Sequence, residues 1–115
     1  MKMIYIAGAY SGETLTLAAN IRKGRRVAAD LALKGFYAFY CPWLDLELAV
    51  LEDLPMEAFQ QNGLEHLRRS DCVLLVPGWE ESRGTKRELE LAHELGLPVF
   101  QAMWELEKWM VEAGK

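Results

Sequence analysis

Cys72-Val73-Leu74-Leu75-Val76-Pro77 and the stretch soon after it, Ser82-Arg83-Gly84-Thr85-Lys86-Arg87-Glu88-Leu89-Glu90-Leu91-Ala92-His93-Glu94-Leu95-Gly96, decide the fold of this chain. The first is an unbroken apolar run closed by a proline and reads as a buried strand. The second is an amphipathic helix with Gly96 as its stop. At about 100° per residue, Leu91, Ala92 and Leu95 share a face with Glu88, while Lys86, Arg87, Glu90, His93 and Glu94 fall opposite. One carboxylate therefore points inward near a helix start, just beyond the carboxyl end of a buried strand, where open α/β sheets keep their ligands. A second reading stays open: Thr85-Lys86-Arg87-Glu88 also fits a capping box, with Glu88 returning to the N–H of the cap. The helix start separates the two, because a start near Ser82 or Gly84 puts Glu88 past the capping position.

The rest of the chain repeats this strand-then-helix alternation. Residues 2–8 form a short apolar strand ending in the turn Gly8-Ala9-Tyr10-Ser11-Gly12. A helix over 15–34 follows, with Ile21, Gly24, Ala28, Leu31 and Ala32 on its apolar face and Gly35 ending it. Residues 36–40 read as a second strand closed by Pro42, and 43–67 as an irregular, largely helical region interrupted by Pro55 and Gly63. After the third strand and the helix of Glu88 come a short strand at 98–101 and a last helix. That helix places Met103, Leu106, Met110 and Ala113 on one face, with Trp109 beside it. Such alternation implies parallel strands joined by right-handed crossovers. The expected fold is a single α/β domain, a three-layer flavodoxin- or Rossmann-like arrangement over a small parallel sheet of four strands, or five, in the order 2-1-3-4. Its switch point falls between strands 1 and 3, in a crevice lined by the turns at 8–12 and 77–84.

Composition narrows the partners. The 115 residues are 51% hydrophobic, enough for one core. No apolar run approaches the ~20 residues of a membrane span, and Met1-Lys2-Met3 leads straight into a strand, so no signal peptide and a cytoplasmic location are expected. A net charge of −4 speaks against a nucleic-acid polymer as partner, and the basic run at 22–26 reads as a solvated helix face. Cys41 and Cys72 read as buried reduced thiols. No His and Cys cluster has metal-ligand spacing, so neither a metal nor another cofactor is expected.

The first turn is neither a dinucleotide fingerprint nor a P-loop, since its spacing differs and the Lys-Ser/Thr pair is missing. Its backbone N–H groups still suit an anion, which makes Gly8, Tyr10 and Ser11 candidate ligand contacts; the alternative is a plain tight turn. In the second loop, Pro77-Gly78-Trp79-Glu80-Glu81-Ser82-Arg83-Gly84, the bare Gly84 lets a ligand approach the backbone. Ser82 and Arg83 are natural phosphate donors with a helix N-terminus behind them. Trp79 either stacks on a base or seals the core. Tyr5 is by default a packing aromatic, but its hydroxyl lies near the strand's carboxyl end, within reach of Glu88. Asp71 opens the third strand as a structural or capping group. The apolar-rich segment 43–59 reads as a lid or a subunit contact.

Taken together, Ile4-Tyr5-Ile6-Ala7-Gly8, Ser70-Asp71-Cys72-Val73-Leu74-Leu75-Val76 and Ser82-x-Gly84-x-x-x-Glu88-x-x-x-Ala92 resemble the nucleoside 2-deoxyribosyltransferase-like superfamily. The likeness is greatest to its small single-domain branch, whose members carry a similar Pro-Gly-Trp-Glu-x-Ser-Arg-Gly stretch, and it extends to about Phe100. It implies cleavage of an N-glycosidic bond, with Glu88 as nucleophile and Tyr5 as its support. Ser82 stands where the nucleoside-monophosphate hydrolases of the superfamily have a phosphate-binding Ser and the transferases an Asp that handles the base. One departure is clear: the superfamily's sugar-contacting Asp falls at Gly63, with Asn62 beside it.

The expected activity is N-glycosidic cleavage of a nucleoside 5′-monophosphate or deoxynucleotide, by hydrolysis or base transfer. The runner-up is a nucleotide-binding or sensing domain that keeps the two loops without the chemistry. The expected partners are a nucleoside or nucleotide, no nucleic-acid polymer and no membrane. A homo-oligomer, a dimer or larger, is expected as well. The superfamily assembles that way, and four Trp exceed what one small core needs.

Overall fold

The apolar runs pair as parallel strands in a computed structural model of the chain, which describes residues 1–9, 14–45 and 55–113. The strands are β1 (Ile4–Ala7), β2 (Phe39–Tyr40), β3 (Cys72–Leu75) and β4 (Val99–Phe100), in the order β2-β1-β3-β4. The central pair is in register along its whole length, from Ile4 opposite Cys72 to Ala7 opposite Leu75, while β2 and β4 each pair over two residues. Parallel neighbours require crossovers, and the described helices supply them: α1 (Thr14–Leu33), α2 (Met56–Arg68), α3 (Arg83–Glu94) and α4 (Met103–Ala113).

Alternation along β1 and β3 divides the core into two layers. Ile4, Ile6, Cys72 and Leu74 pack with Ala28 and Leu31 of α1 and Leu106 of α4. Tyr5, Ala7, Val73 and Leu75 pack on the other face with Leu67 of α2 and Ala92 of α3. Every residue of both central strands is buried, as expected of a parallel sheet covered on both sides. The fold is thus the three-layer α/β arrangement with sheet order 2-1-3-4. No described helix is long and apolar enough to cross a membrane.

Several local expectations need correction. Gly63 does not interrupt its helix, since α2 runs unbroken from its N-cap Pro55 to Arg68. The second strand starts at Phe39 instead of residue 36, because the Phe36 N–H closes the end of α1 by donating to the Leu31 carbonyl at 2.9 Å. Leu95 is 44% exposed: α3 ends at Glu94, so helical spacing no longer sets where Leu95 points. Thr85, fully buried, takes the inward place one turn before Glu88.

Trp43 is the largest correction. Expected in a lid or subunit contact, it is only 1% exposed and lies in the core. Its indole N–H donates to the Ala9 carbonyl at 3.2 Å, tying the end of β2 to the end of β1. Gly24 makes the room, because a Cβ there would stand 2.2 Å from the Trp43 ring. Residues 46–54 of the same segment lie outside the described residues. Asp71 has the structural role expected of it, accepting from the Met3 N–H at 2.7 Å while its own N–H donates to the Met3 carbonyl at 2.8 Å. Both cysteines are buried thiols. Burial, with the Asp71 charge adding to it, pushes the Cys72 thiol up to about 12, which makes it unreactive.

The contact between Gly24 and Trp43 gives a direct test. Ala is the better helix former by ~1 kcal/mol, so Gly24→Ala would be stabilising if space allowed. With a methyl forced into the indole, we expect a net loss of about 2 kcal/mol, read as a lower denaturant midpoint at unchanged slope.

Candidate active site

Just after β3 the chain extends the central pairing by one bond, from the Val76 N–H to the Ala7 carbonyl at 2.8 Å, and then turns away. A single 3-10 turn, Trp79–Glu81, leads to Ser82, which caps α3: its Oγ accepts from the Thr85 N–H at 3.1 Å. The helix therefore starts at Arg83, and Thr85 occupies the third helical position. Glu88 lies a turn further on, past the reach of a capping box. That decides between the two readings of Thr85 to Glu88, and the carboxylate is left to face the crevice.

There it meets Tyr5, whose hydroxyl donates a hydrogen bond to the Glu88 carboxylate. The residue as a whole is half-buried, but its Oε2 is sealed from solvent and has no hydrogen-bond partner among the described residues. Burial pushes the carboxyl up to about 7, and the Tyr5 hydrogen bond pulls partly the other way. A carboxyl raised towards neutrality, at the crevice between β1 and β3, marks this place as a candidate functional site.

The pair borders a cavity of about 500 Å³. Gly8 and Ala9 form one wall and Phe59, Gly63 and Leu64 of α2 another. Ser82, Arg83, Gly84 and Arg87 form the side nearest the start of α3. The Thr85 N–H is taken by Ser82 Oγ and the Lys86 N–H by the Ser82 carbonyl. The N–H groups of Arg83 and Gly84 belong to the first helical turn, where no intrahelical acceptor exists. Neither Arg83 nor Arg87 has an ion pair among the described residues. This side of the cavity thus offers N–H donors, a hydroxyl proton and two guanidinium groups, a set suited to an anion. No group of His, Cys, Asp and Glu that could hold a metal occurs among the described residues.

Of the residues singled out in the sequence, Tyr5, Gly8, Ser82, Arg83, Gly84 and Glu88 come together around this cavity. Trp79 does not join them, because it packs against the core layer of Tyr5, Val73 and Leu75 and so seals that layer. Tyr10 and Ser11 lie outside the described residues. Tyr40, Trp43 and Arg87 are cavity residues that the sequence reading left out of the site. Tyr40 was within reach of it, since order 2-1-3-4 sets the end of β2 beside the end of β1, and Tyr40 pairs with Tyr5. Their rings stack at 5.5 Å, Tyr40 stacks in turn on His66 at 4.0 Å, and the Asn62 amide donates to the Tyr40 hydroxyl at 3.1 Å. Arg87 was placed on the outer face by helical period, which ignores how far a long side chain reaches.

Fold and cavity together define a parallel α/β protein with a buried carboxylate and an anion-suited helix start at its switch point. The chain belongs to the family described as "Domain of unknown function (DUF4406)", which matches residues 2–101. That span contains β1 to β4, α1 to α3 and every cavity residue named above. A search of curated proteins gave no match.

The raised Glu88 carboxyl has a consequence for stability. Its folded value, about 7, exceeds the ordinary 4.5, so the neutral form is the one that folding favours. The associated stability is complete below about pH 4.5 and is lost as pH rises through about 7. Glu88→Gln, which stays neutral, should therefore match the wild type in acid. At pH 8 to 9 it should be more stable by up to ~3 kcal/mol, at 1.36 kcal/mol per pKa unit. Denaturant unfolding across pH measures this; equal stabilities at pH 8 would refute it.

Proposed function

We propose that this protein cleaves the N-glycosidic bond of a nucleoside 5′-monophosphate or deoxynucleotide, by hydrolysis or base transfer. The observation that carries the reading is the Tyr5–Glu88 pair bordering a cavity whose adjoining side suits a phosphate. The resemblance to the nucleoside 2-deoxyribosyltransferase-like superfamily, in the motif from Ser82 to Ala92, supports it.

The chemistry runs on the ionised form of Glu88. Breaking the C1′–N bond develops positive charge on the sugar, and a carboxylate on that face stabilises it. In the covalent route a Glu88 oxygen bonds to C1′ as the C1′–N bond breaks, and the bonding pair leaves with the base, which takes up a proton. Water then attacks C1′, loses a proton and frees the carboxylate; a second base in place of water gives transfer. Tyr5 holds the carboxylate by its hydrogen bond and favours its charged state. The orphan N–H groups of α3, the Ser82 hydroxyl and Arg83 hold the 5′-phosphate, with Arg87 adding charge. Because Ser82 Oγ already accepts from Thr85, its role towards the phosphate is that of a donor.

A screen of nucleoside 5′-monophosphates for free-base release tests the reading. We expect turnover with at least one, lost on Glu88→Ala while the unfolding transition persists. We also expect a preference over the unphosphorylated nucleoside of roughly ten- to a hundredfold, from a charge-assisted contact of ~1.5–3 kcal/mol. Wild-type turnover in Glu88→Ala would move the nucleophile elsewhere.

We also propose that the protein is a homo-oligomer. With Trp43 assigned to the core, the support rests on the α1 and α4 side, where Leu33 is 81%, Trp104 67% and Val111 62% exposed. Sedimentation at micromolar concentration should give a dimer or larger species; a single 13.1 kDa particle would defeat this.

A further inference from the structure

α2 carries a glycine in its interior that the helix itself does not need. Gly63 lies in the middle of Met56–Arg68, where Gly in place of Ala costs ~1 kcal/mol, and no turn or left-handed backbone calls for it. It is buried on the helix face that also carries Phe59, Leu64 and Leu67. A Cβ built on Gly63 would stand 3.0 Å from the Tyr5 hydroxyl oxygen, the nearest atom to it. That hydroxyl is the one bonded to Glu88.

The Tyr5 ring has little freedom to yield. It is 2% exposed, and its face stacks on Tyr40 at 5.5 Å. Tyr40 is itself held from α2, by His66 against its ring and by Asn62 at its hydroxyl. His66 lies one turn on from both Asn62 and Gly63. One helix thus fixes both the plane of the Tyr5 ring and the space around its oxygen.

We propose that Gly63 is a positioning residue for this site: its bare Cα lets the Tyr5 hydroxyl stand against the Glu88 carboxylate, and a methyl there presses on that hydroxyl, shifting it by a few tenths of an ångström and weakening the contact. Its importance for catalysis rests on the function proposed above; its effect on the Tyr5–Glu88 bond does not. The titratable and charged groups that line the cavity with Glu88 are Tyr5 from β1, Tyr40 at the end of β2, and Glu81, Arg83 and Arg87. α2 brings the uncharged Gln60 and Gly63 to the cavity, with His66 behind Tyr40, and α1 brings Asn20.

The test is a carboxyl NMR titration of Glu88 in the full chain without substrate, in wild type, Gly63→Ala, Tyr5→Phe and the double variant. Tyr5 lowers the Glu88 value, so both single variants should titrate at higher pH than wild type. The double variant should titrate with Tyr5→Phe, because a bond already absent cannot be lost twice. A purely structural glycine would not produce that pattern. Gly63→Ala titrating like wild type, or adding its full shift to that of Tyr5→Phe, overturns the proposal. If Gly63→Ala does not fold, removing the hydroxyl should relieve the contact, so a folded double variant supports the proposal and an unfolded one overturns it. Since no substrate is used, a negative result here is distinct from a failed base-release screen.

Discussion

The pairing of β1 with β3 is the constraint on which the rest of this molecule depends. It brings residues near the start of the chain against residues 72–75, in full register, and leaves both strands buried. Strict side-chain alternation then has two consequences at once. One set of residues makes a dry layer with α1 and α4. The other makes a layer with α2 and α3, and Tyr5 is the member of that layer whose polar end extends to the crevice. A register shift of one residue would turn Tyr5 to the opposite layer and leave Glu88 without its donor.

The site is built from locally unfavourable choices. A carboxyl has one oxygen sealed from solvent with no hydrogen-bond partner among the described residues, and a glycine occupies the interior of a helix. The buried carboxylate lowers stability relative to a neutral group and the glycine gives up ~1 kcal/mol of helix propensity, and both occur within one small region. Local sacrifices of this kind cluster where a protein binds or reacts, because desolvation is what gives a carboxylate its chemical reach. Elsewhere the chain is conservative: both thiols are buried, Asp71 is bonded to backbone, and Trp43 fills its space and satisfies its N–H.

Much of this was legible in the sequence, for physical reasons that differ from element to element. The apolar runs at 4–7 and 72–75 and the amphipathic period of α3 are strong local signals, and from them followed the sheet order and the inward direction of Glu88. Ser82 as the cap of α3 was legible as one of two readings, and the residue type decides little until the helix start is known. What escaped was set by contacts distant in sequence. Gly63 looked like a helix breaker because its reason for being glycine is Tyr5, far away in sequence. Trp43 looked like an interface residue because the space it fills is made by Gly24 on another element. Trp79 was ambiguous for the same reason, since an aromatic in a loop next to a site serves packing or binding according to which neighbours surround it.

The long separation of the central strands also bears on how the protein is made. Met3 and Asp71, bonded through backbone and side chain, are 68 residues apart in sequence. At ~5–20 residues per second on the ribosome, β1 waits roughly 3 to 14 seconds after emerging before β3 exists to pair with it. During that interval α1 follows directly and can shelter the Ile4 and Ile6 side, leaving the Tyr5 side open. The layer that carries the cavity closes once α2 and α3 have both been synthesised, and the dry layer that α1 began is completed only afterwards, when α4 brings Leu106 to it.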